Sequence, residues 1–250
     1  MVYFIGAGPG DPELITIKGQ RLLEKAGMII YTGSLVNQAL LAFAGADCEI
    51  YNSAGLTLPE VINLTEQGYN AGKTIVRLHT GDPSIYGAIR EQMDELAKRR
   101  IPYEVIPGVS SFCAAAAALK AEYTVPGISQ TVILTRMEGR TGVPERETLE
   151  SLAAHQATMV IFLSMEMIAT MTERLQTSYP SRTPAAVVYK ASWPEQKVIK
   201  GTLANIATQV IQAGITKTAL LVVGDFLGYE SELSQLYAEN FSHGYRRAKT

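Results

Sequence analysis

Cysteine is scarce in this chain: Cys48 and Cys113 alone occur in 250 residues, far apart and without a CxxC or histidine-rich companion. That excludes a disulfide framework and a cysteine-built metal site, so both thiols are expected as ordinary interior groups and no metal is expected. Long apolar runs are also missing. Residues 114–119 and 219–223 fall far short of the roughly 20 residues that a bilayer span requires, so no membrane partner is expected. The N-terminus enters a strand-like run at residues 2–5 without the basic flank and cleavage site of an export signal, and a cytoplasmic location is the expectation. A basic excess is absent too. The formal net charge of -2 argues against a nucleic-acid partner. The Lys98-Arg99-Arg100 run reads as a solvated helix end, where cations complement the helix dipole.

What the chain does have is hydrophobic content, 47%, enough to bury a large core in one or two domains. Apolar, β-rich runs recur at residues 2–5, 28–31, 74–78, 103–106, 131–134, 159–163, 185–189 and 219–223. Helical patterns lie between most of them. Ile15, Gly19, Leu22, Leu23 and Ala26 share one face at helical spacing, with Gly19 small enough to lie close against a sheet. A second helix starts near Thr57, where Thr57 and Glu60 make a capping box and Pro59 fits the first turn. Alternating strands and helices with near-continuous hydrophobic strands predict an α/β protein with largely parallel sheets. An alanine-rich helix at about 111–119 precedes the segment 121–129, which holds Pro126 and Gly127. The expected division is therefore an N-terminal α/β domain over 1–120 and a C-terminal α/β domain over 121–228. A polar tail, 229–250, follows.

Three strand-end loops carry the candidate chemistry. The first is Gly6-Ala7-Gly8-Pro9-Gly10-Asp11-Pro12, whose glycines let backbone amides approach a ligand. A nicotinamide site fits it poorly, because Asp11 replaces the third glycine of GxGxxG and Tyr31-Thr32-Gly33 ends the second strand with no acidic residue. The second is His79-Thr80-Gly81-Asp82-Pro83-Ser84-Ile85-Tyr86-Gly87, in which Asp82 is either a ribose or amino-group acceptor or a plain helix cap. The third, Ile106-Pro107-Gly108-Val109-Ser110-Ser111, enters a helix with two hydroxyls. Taken alone, the second and third read as plain caps and the first has a ligand-free turn as its alternative; their conjunction in one α/β half points to a ligand.

Together the three loops resemble the tetrapyrrole methylase family, over about residues 2–228. Residues 130–136 with Glu138-Gly139-Arg140-Thr141, and Val188-Tyr189-Lys190-Ala191-Ser192-Trp193-Pro194, look like the branch that methylates carbon 11 of precorrin-4; residues 114–120 are similar as well, and the His79–Pro83 loop leans toward the cobalt-dependent route. The resemblance implies a tetrapyrrole methylase fold with an interdomain cleft, a homodimer, S-adenosylmethionine as cofactor with S-adenosylhomocysteine as product, and a small-molecule tetrapyrrole as substrate. Carried over by position, it implies Pro9, Thr80, Gly81, Asp82, Ile85, Tyr86, Ser110 and Ser111 around the cofactor, with Leu163, Ala191 and Ala219 of the second domain near its adenine. Uroporphyrinogen-type methylases carry an arginine directly after GDPxxxG, where this chain has Ala88.

A many-carboxylate macrocycle calls for basic side chains, and Arg136, Arg140 and Lys190 follow predicted strands. Tyr86 and Lys190 are the candidates for polar work near the transferred group, while His79 and His155 read as structural. The alternatives are a methylase of the same fold acting on another position or on a protein or RNA, a nicotinamide-dependent dehydrogenase, and a noncatalytic nucleotide-binding module.

Overall fold

The computed structural model describes residues 1–228, 238–242 and 244–248; the other residues of the expected tail lie outside the described part. The chain divides into two compact units. One comprises residues 1–114 with 190–195, the other residues 115–189 with the described residues from 196 onward. The division falls inside the alanine-rich helix, and the short 190–195 segment belongs with the first unit.

Among the described residues, the first unit holds a five-stranded sheet made of β1 (Val2–Gly6), β2 (Met28–Tyr31), β3 (Glu49–Asn52), β4 (Ile75–His79) and β5 (Tyr103–Ile106). The order is β3-β2-β4-β1-β5 and every pairing is parallel. Helices α1 (Ile17–Glu24), α2 (Leu58–Asn70), α3 (Ile89–Lys98) and α4 (Ser111–Leu119) follow β1, β3, β4 and β5, while short 3-10 turns link β2 to β3. Successive strand residues face opposite sides, and both sides are covered. Ile5, Ile29, Val76 and Leu78 pack with Leu23 of α1 and with Leu40, while Val2, Phe4, Ile30 and Ile75 pack with Ile62 of α2 and Leu96 of α3. Each such side chain contributes about 1.5–3 kcal/mol on burial, which is why these strands read as unbroken apolar runs.

The local signals of the helices are realised. Thr16 caps α1 by accepting from the Gly19 N–H at 3.1 Å. A methyl carbon on Gly19 would stand 3.1 Å from Ile5, so that glycine permits the close approach to the sheet. Glu60 accepts from the Thr57 N–H at 2.7 Å, completing the capping box of α2.

The second unit departs from the expected parallel pairing. Its strands are β6 (Val132–Arg136), β7 (Thr158–Phe162), β8 (Pro184–Tyr189), β9 (Lys197–Thr202) and β10 (Ala219–Val223), in the order β6-β7-β10-β8-β9. Only β6 and β7 run parallel; β7, β10, β8 and β9 pair antiparallel in turn. The reason lies in the connection. Residues 190–196 join β8 to β9 without a helix, and so short a link cannot return a chain for parallel pairing. Helices α5 (Leu149–Ala153), α6 (Ile168–Leu175) and α7 (Ile206–Gln212) pack Leu149, Met171, Leu175 and Val210 against Met159, Ile161, Val187 and Leu221. Cys113 is also a correction: it is exposed and Cys48 only half-buried, because α4 turns Ala114 and Ala115 inward and Cys113 out.

Candidate functional site

Strands β4, β1 and β5 are adjacent and parallel, so the loops after them emerge at one end of the first sheet although they lie far apart in sequence. There they interlock through their backbones. The Gly81 N–H donates to the Gly8 carbonyl at 2.9 Å, the Gly8 N–H returns to Gly81 at 3.3 Å, and the Ala7 N–H donates to the His79 carbonyl at 2.7 Å. A methyl carbon on Gly108 would fall 2.2 Å from the Gly81 carbonyl oxygen, and one on Gly6 2.5 Å from the Gly108 Cα. These glycines serve loop-to-loop contact, so the junction tolerates no side chain at 6 or 108.

Asp82 joins the second loop to the third. One carboxylate oxygen accepts from the Ser84 N–H at 2.8 Å and from the Ser84 hydroxyl, and the other from the Gly108 N–H at 2.9 Å. Desolvation pushes this carboxyl up, yet the hydrogen bonds from Ser84 and Gly108 outweigh it and leave it below its ordinary value. Helix α3 begins only at Ile89, so Asp82 caps a turn and not a helix. The turn carries half-buried Ile85 and exposed Tyr86, with Tyr86 and Ala88 at φ 55° and 49°, a left-handed conformation that costs side-chain-bearing residues about 1–2 kcal/mol.

Buried polar groups hold this turn from behind. Gln92 donates to the Ala88 carbonyl at 3.0 Å and accepts from Arg77 at 2.9 Å; Arg77 in turn donates to the Ile30 carbonyl at 2.8 Å. Desolvation lowers the Arg77 guanidinium to about 10. His79 is hydrogen-bonded to the Gly87 backbone; desolvation first, and the Arg77 charge second, push it down to about 3. It is a neutral supporting group at the end of β4.

The other predicted residues are distributed as follows. Pro9 and Ser110 are buried, and Thr80 and Ser111 half-buried at the same rim. Ser110 lies within 3.5–3.8 Å of the point where a Gly81 side chain would begin. Ala191 is buried in the first unit, as is half-buried Lys190, whose ammonium lies 3.6 Å from Glu195 and 5.2 Å from the centre of the Trp193 ring. In the second unit Leu163 directly follows β7 with φ 54° and 66% exposure, and Ala219 opens β10 opposite Tyr189. Arg136 turns its guanidinium onto the carbonyls of Met137, Thr141 and Gly142, pinning its own loop. Arg140 is exposed. Arg90 pairs with Asp94 at 3.0 Å on the outer face of α3 and stands in for no missing arginine at 88.

Residues 1–207 match the model of the Tetrapyrrole (Corrin/Porphyrin) Methylases. The chain belongs to that family. Among tetrapyrrole methylases it is 55% identical, over 99% of its length and 96% of the relative's, to a cobalt-precorrin-4 C(11)-methyltransferase of Methanocaldococcus jannaschii. The X-ray structure of a cobalt precorrin-4 methyltransferase superimposes with a TM-score of 0.89 at 44% identity, covering 90% of this chain and 95% of that one. A uroporphyrin-III C-methyltransferase from Thermus thermophilus, solved with S-adenosylhomocysteine, superimposes with a TM-score of 0.77 at 28% identity over 90% of this chain and 98% of that one. The chain therefore has the tetrapyrrole methylase fold, and like its family it is a C-methyltransferase.

The junction's chemistry fits the donor that this family uses. The three loops contain no lysine or arginine and offer the hydroxyls of Thr80, Ser110 and Ser111, backbone groups, and the apolar surface of Ile85 and Tyr86. Such a set suits a nucleoside joined to an amino acid. Asn37 and Ser192, which reach the first loop from elsewhere in the chain, gave no local signal of a role.

Proposed function

We propose that this chain transfers the methyl group of S-adenosylmethionine to carbon 11 of precorrin-4, with cobalt in the ring, giving the precorrin-5 form in cobalamin biosynthesis. The observation that carries the reading is the backbone junction of the three loops at the ends of β4, β1 and β5, with its cation-free rim of hydroxyls. Similarity to the cobalt-precorrin-4 C(11)-methyltransferase over almost the whole chain supports the regiochemistry and the metal. The enzyme acts as a homodimer in the cytoplasm; no helix among the described residues is long and apolar enough to cross a membrane.

When bound, S-adenosylmethionine supplies an electrophilic methyl carbon, so that an electron pair from the ring carbon forms the new bond while the old one leaves with sulfur as S-adenosylhomocysteine. The protein's part is alignment, which can account for a large share of such a rate enhancement. Pro9, Thr80, Gly81, Ile85, Tyr86, Ser110, Ser111 and Ala191 surround the donor, and Asp82 fixes the rim on which four of them lie. Arg140 offers a guanidinium to the substrate's carboxylates, and Tyr86 and Lys190 offer polar groups near the reacting carbon.

Calorimetric titration with S-adenosylhomocysteine should show binding, whereas tight binding of NAD alone would end the reading. Incubation with methyl-labelled donor and the cobalt-precorrin-4 ring, followed by NMR of the product, should place the label on carbon 11. Label on another carbon would overturn the regiochemistry.

A further inference from the structure

Three successive backbone groups of the first loop are held by side chains from outside it, all within the first unit. The Trp193 indole N–H donates to the Pro9 carbonyl at 3.0 Å, the Asn37 amide donates to the Gly10 carbonyl at 2.7 Å, and the Asp11 N–H donates to the Ser192 hydroxyl at 3.0 Å. The indole also fills the space beside Gly10. A methyl carbon at that glycine would stand 2.1 Å from Trp193 Cδ1 and Nε1, so residue 10 can only be glycine while residue 193 is tryptophan.

The holders are themselves fixed. Asn37 accepts from the Ala39 N–H at 3.0 Å, which sets the direction of its amide. The Trp193 backbone N–H donates to the Lys190 carbonyl at 3.0 Å, and the Lys190 ammonium stands over the indole ring. Lys190 and Ser192 take left-handed φ values of 45° and 69°, each costly for a non-glycine residue. A loop with glycine on both sides of Pro9 has many unbound conformations, and fixing it beforehand removes an ordering cost from binding.

Resting on the function proposed above, we infer that Trp193, Ser192 and Asn37 are positioning residues for the methyl donor, acting through the Pro9-Gly10-Asp11 backbone and not through the tetrapyrrole. They select the donor's affinity, leaving the acceptor's to other groups.

The chain contains a single tryptophan, so its emission reports this contact directly. Addition of S-adenosylhomocysteine to the wild-type protein should shift or quench that emission. Trp193→Phe keeps a ring beside Gly10 and removes the N–H; it should raise the dissociation constant for S-adenosylhomocysteine and the KM for S-adenosylmethionine about tenfold, with kcat and the KM for the tetrapyrrole within about twofold. Ser192→Ala removes the acceptor for Asp11 and should raise the same two constants about threefold. Unchanged donor affinity in both variants overturns the inference. So does an equal loss of donor and tetrapyrrole affinity, which would mark Trp193 as a general structural residue. A wild-type protein that binds no S-adenosylhomocysteine overturns the proposed function itself, whereas normal wild-type binding with unaffected variants overturns this inference alone.

Discussion

In the first unit the interior holds Arg77, His79 and Gln92 besides Thr65 and Ser110, whereas the buried polar side chains of the second, among the described residues, are hydroxyls: Thr135, Thr158, Ser164, Thr172 and Thr183. The hydroxyls can be satisfied on a nearby carbonyl, as Ser164 is on Phe162 and Thr172 on Ala169. The larger groups of the first unit reach between elements, from β4 to β2 and to the start of α3, and they converge behind the turn that carries Ile85 and Tyr86. One interior is organised around a loop that must be held, the other around packing. Burying a guanidinium and an imidazole carries a desolvation cost that a purely structural sheet has no reason to bear.

The sharpest way to break this contrast is by glycine substitution. Gly108→Val places a side chain against the Gly81 carbonyl and the Gly6 backbone, and should cost about 3 kcal/mol or more of stability and abolish measurable S-adenosylhomocysteine binding. Gly142→Ala in the second unit meets nothing within 4 Å and should stay within about 0.5 kcal/mol of wild type in urea denaturation.

A smaller effect follows from His79. Its folded pKa of about 3 lies below the ordinary value for an imidazole, so between the two the unfolded chain binds the extra proton and stability falls as pH falls. That amounts to about 2 kcal/mol between pH 7 and pH 5. His79→Leu should flatten the decline in urea midpoints over this range; an unchanged slope would show that the imidazole protonates freely in the native protein. The smallest effect belongs to Asp82. Asp82→Asn weakens the ties to Ser84 and Gly108 and should cost about 1–2 kcal/mol at neutral pH. Because the Asp82 carboxyl is held below its ordinary value, its contribution is present above that value and fades as pH drops through the folded one. Chemical denaturation at neutral pH and below pH 4 should therefore find the two proteins converging under acid.

Much of this architecture was legible in residue order. Interior strands such as β2 and β10 are apolar at nearly every position because both faces are covered, and the capping box at Thr57 marks the start of α2. Strands β3 and β9 escaped because they are sheet edges, with Glu49, Ile50 and Asn52, and Lys197, Val198 and Lys200, exposed among their residues. Missing β9 also hid the hairpin, and with it the antiparallel pairing of the second sheet. At the site, loop composition pointed to the three turns and their glycines. It did not show what the glycines face, since Gly108 meets Gly81 only after β4, β1 and β5 come side by side. The clamp on Pro9 was out of reach for the same reason, with Trp193 lying 184 residues further along.

The placement of residues 190–195 in the first unit bears on the order of events during synthesis. A ribosome releases all three turns of the junction long before it adds the indole that steadies the earliest of them. A nascent chain halted before Lys190 would carry all three turns and yet lack two of the three side-chain ties on the leading one, those from Ser192 and Trp193, so full steadiness of that turn should arrive late in translation.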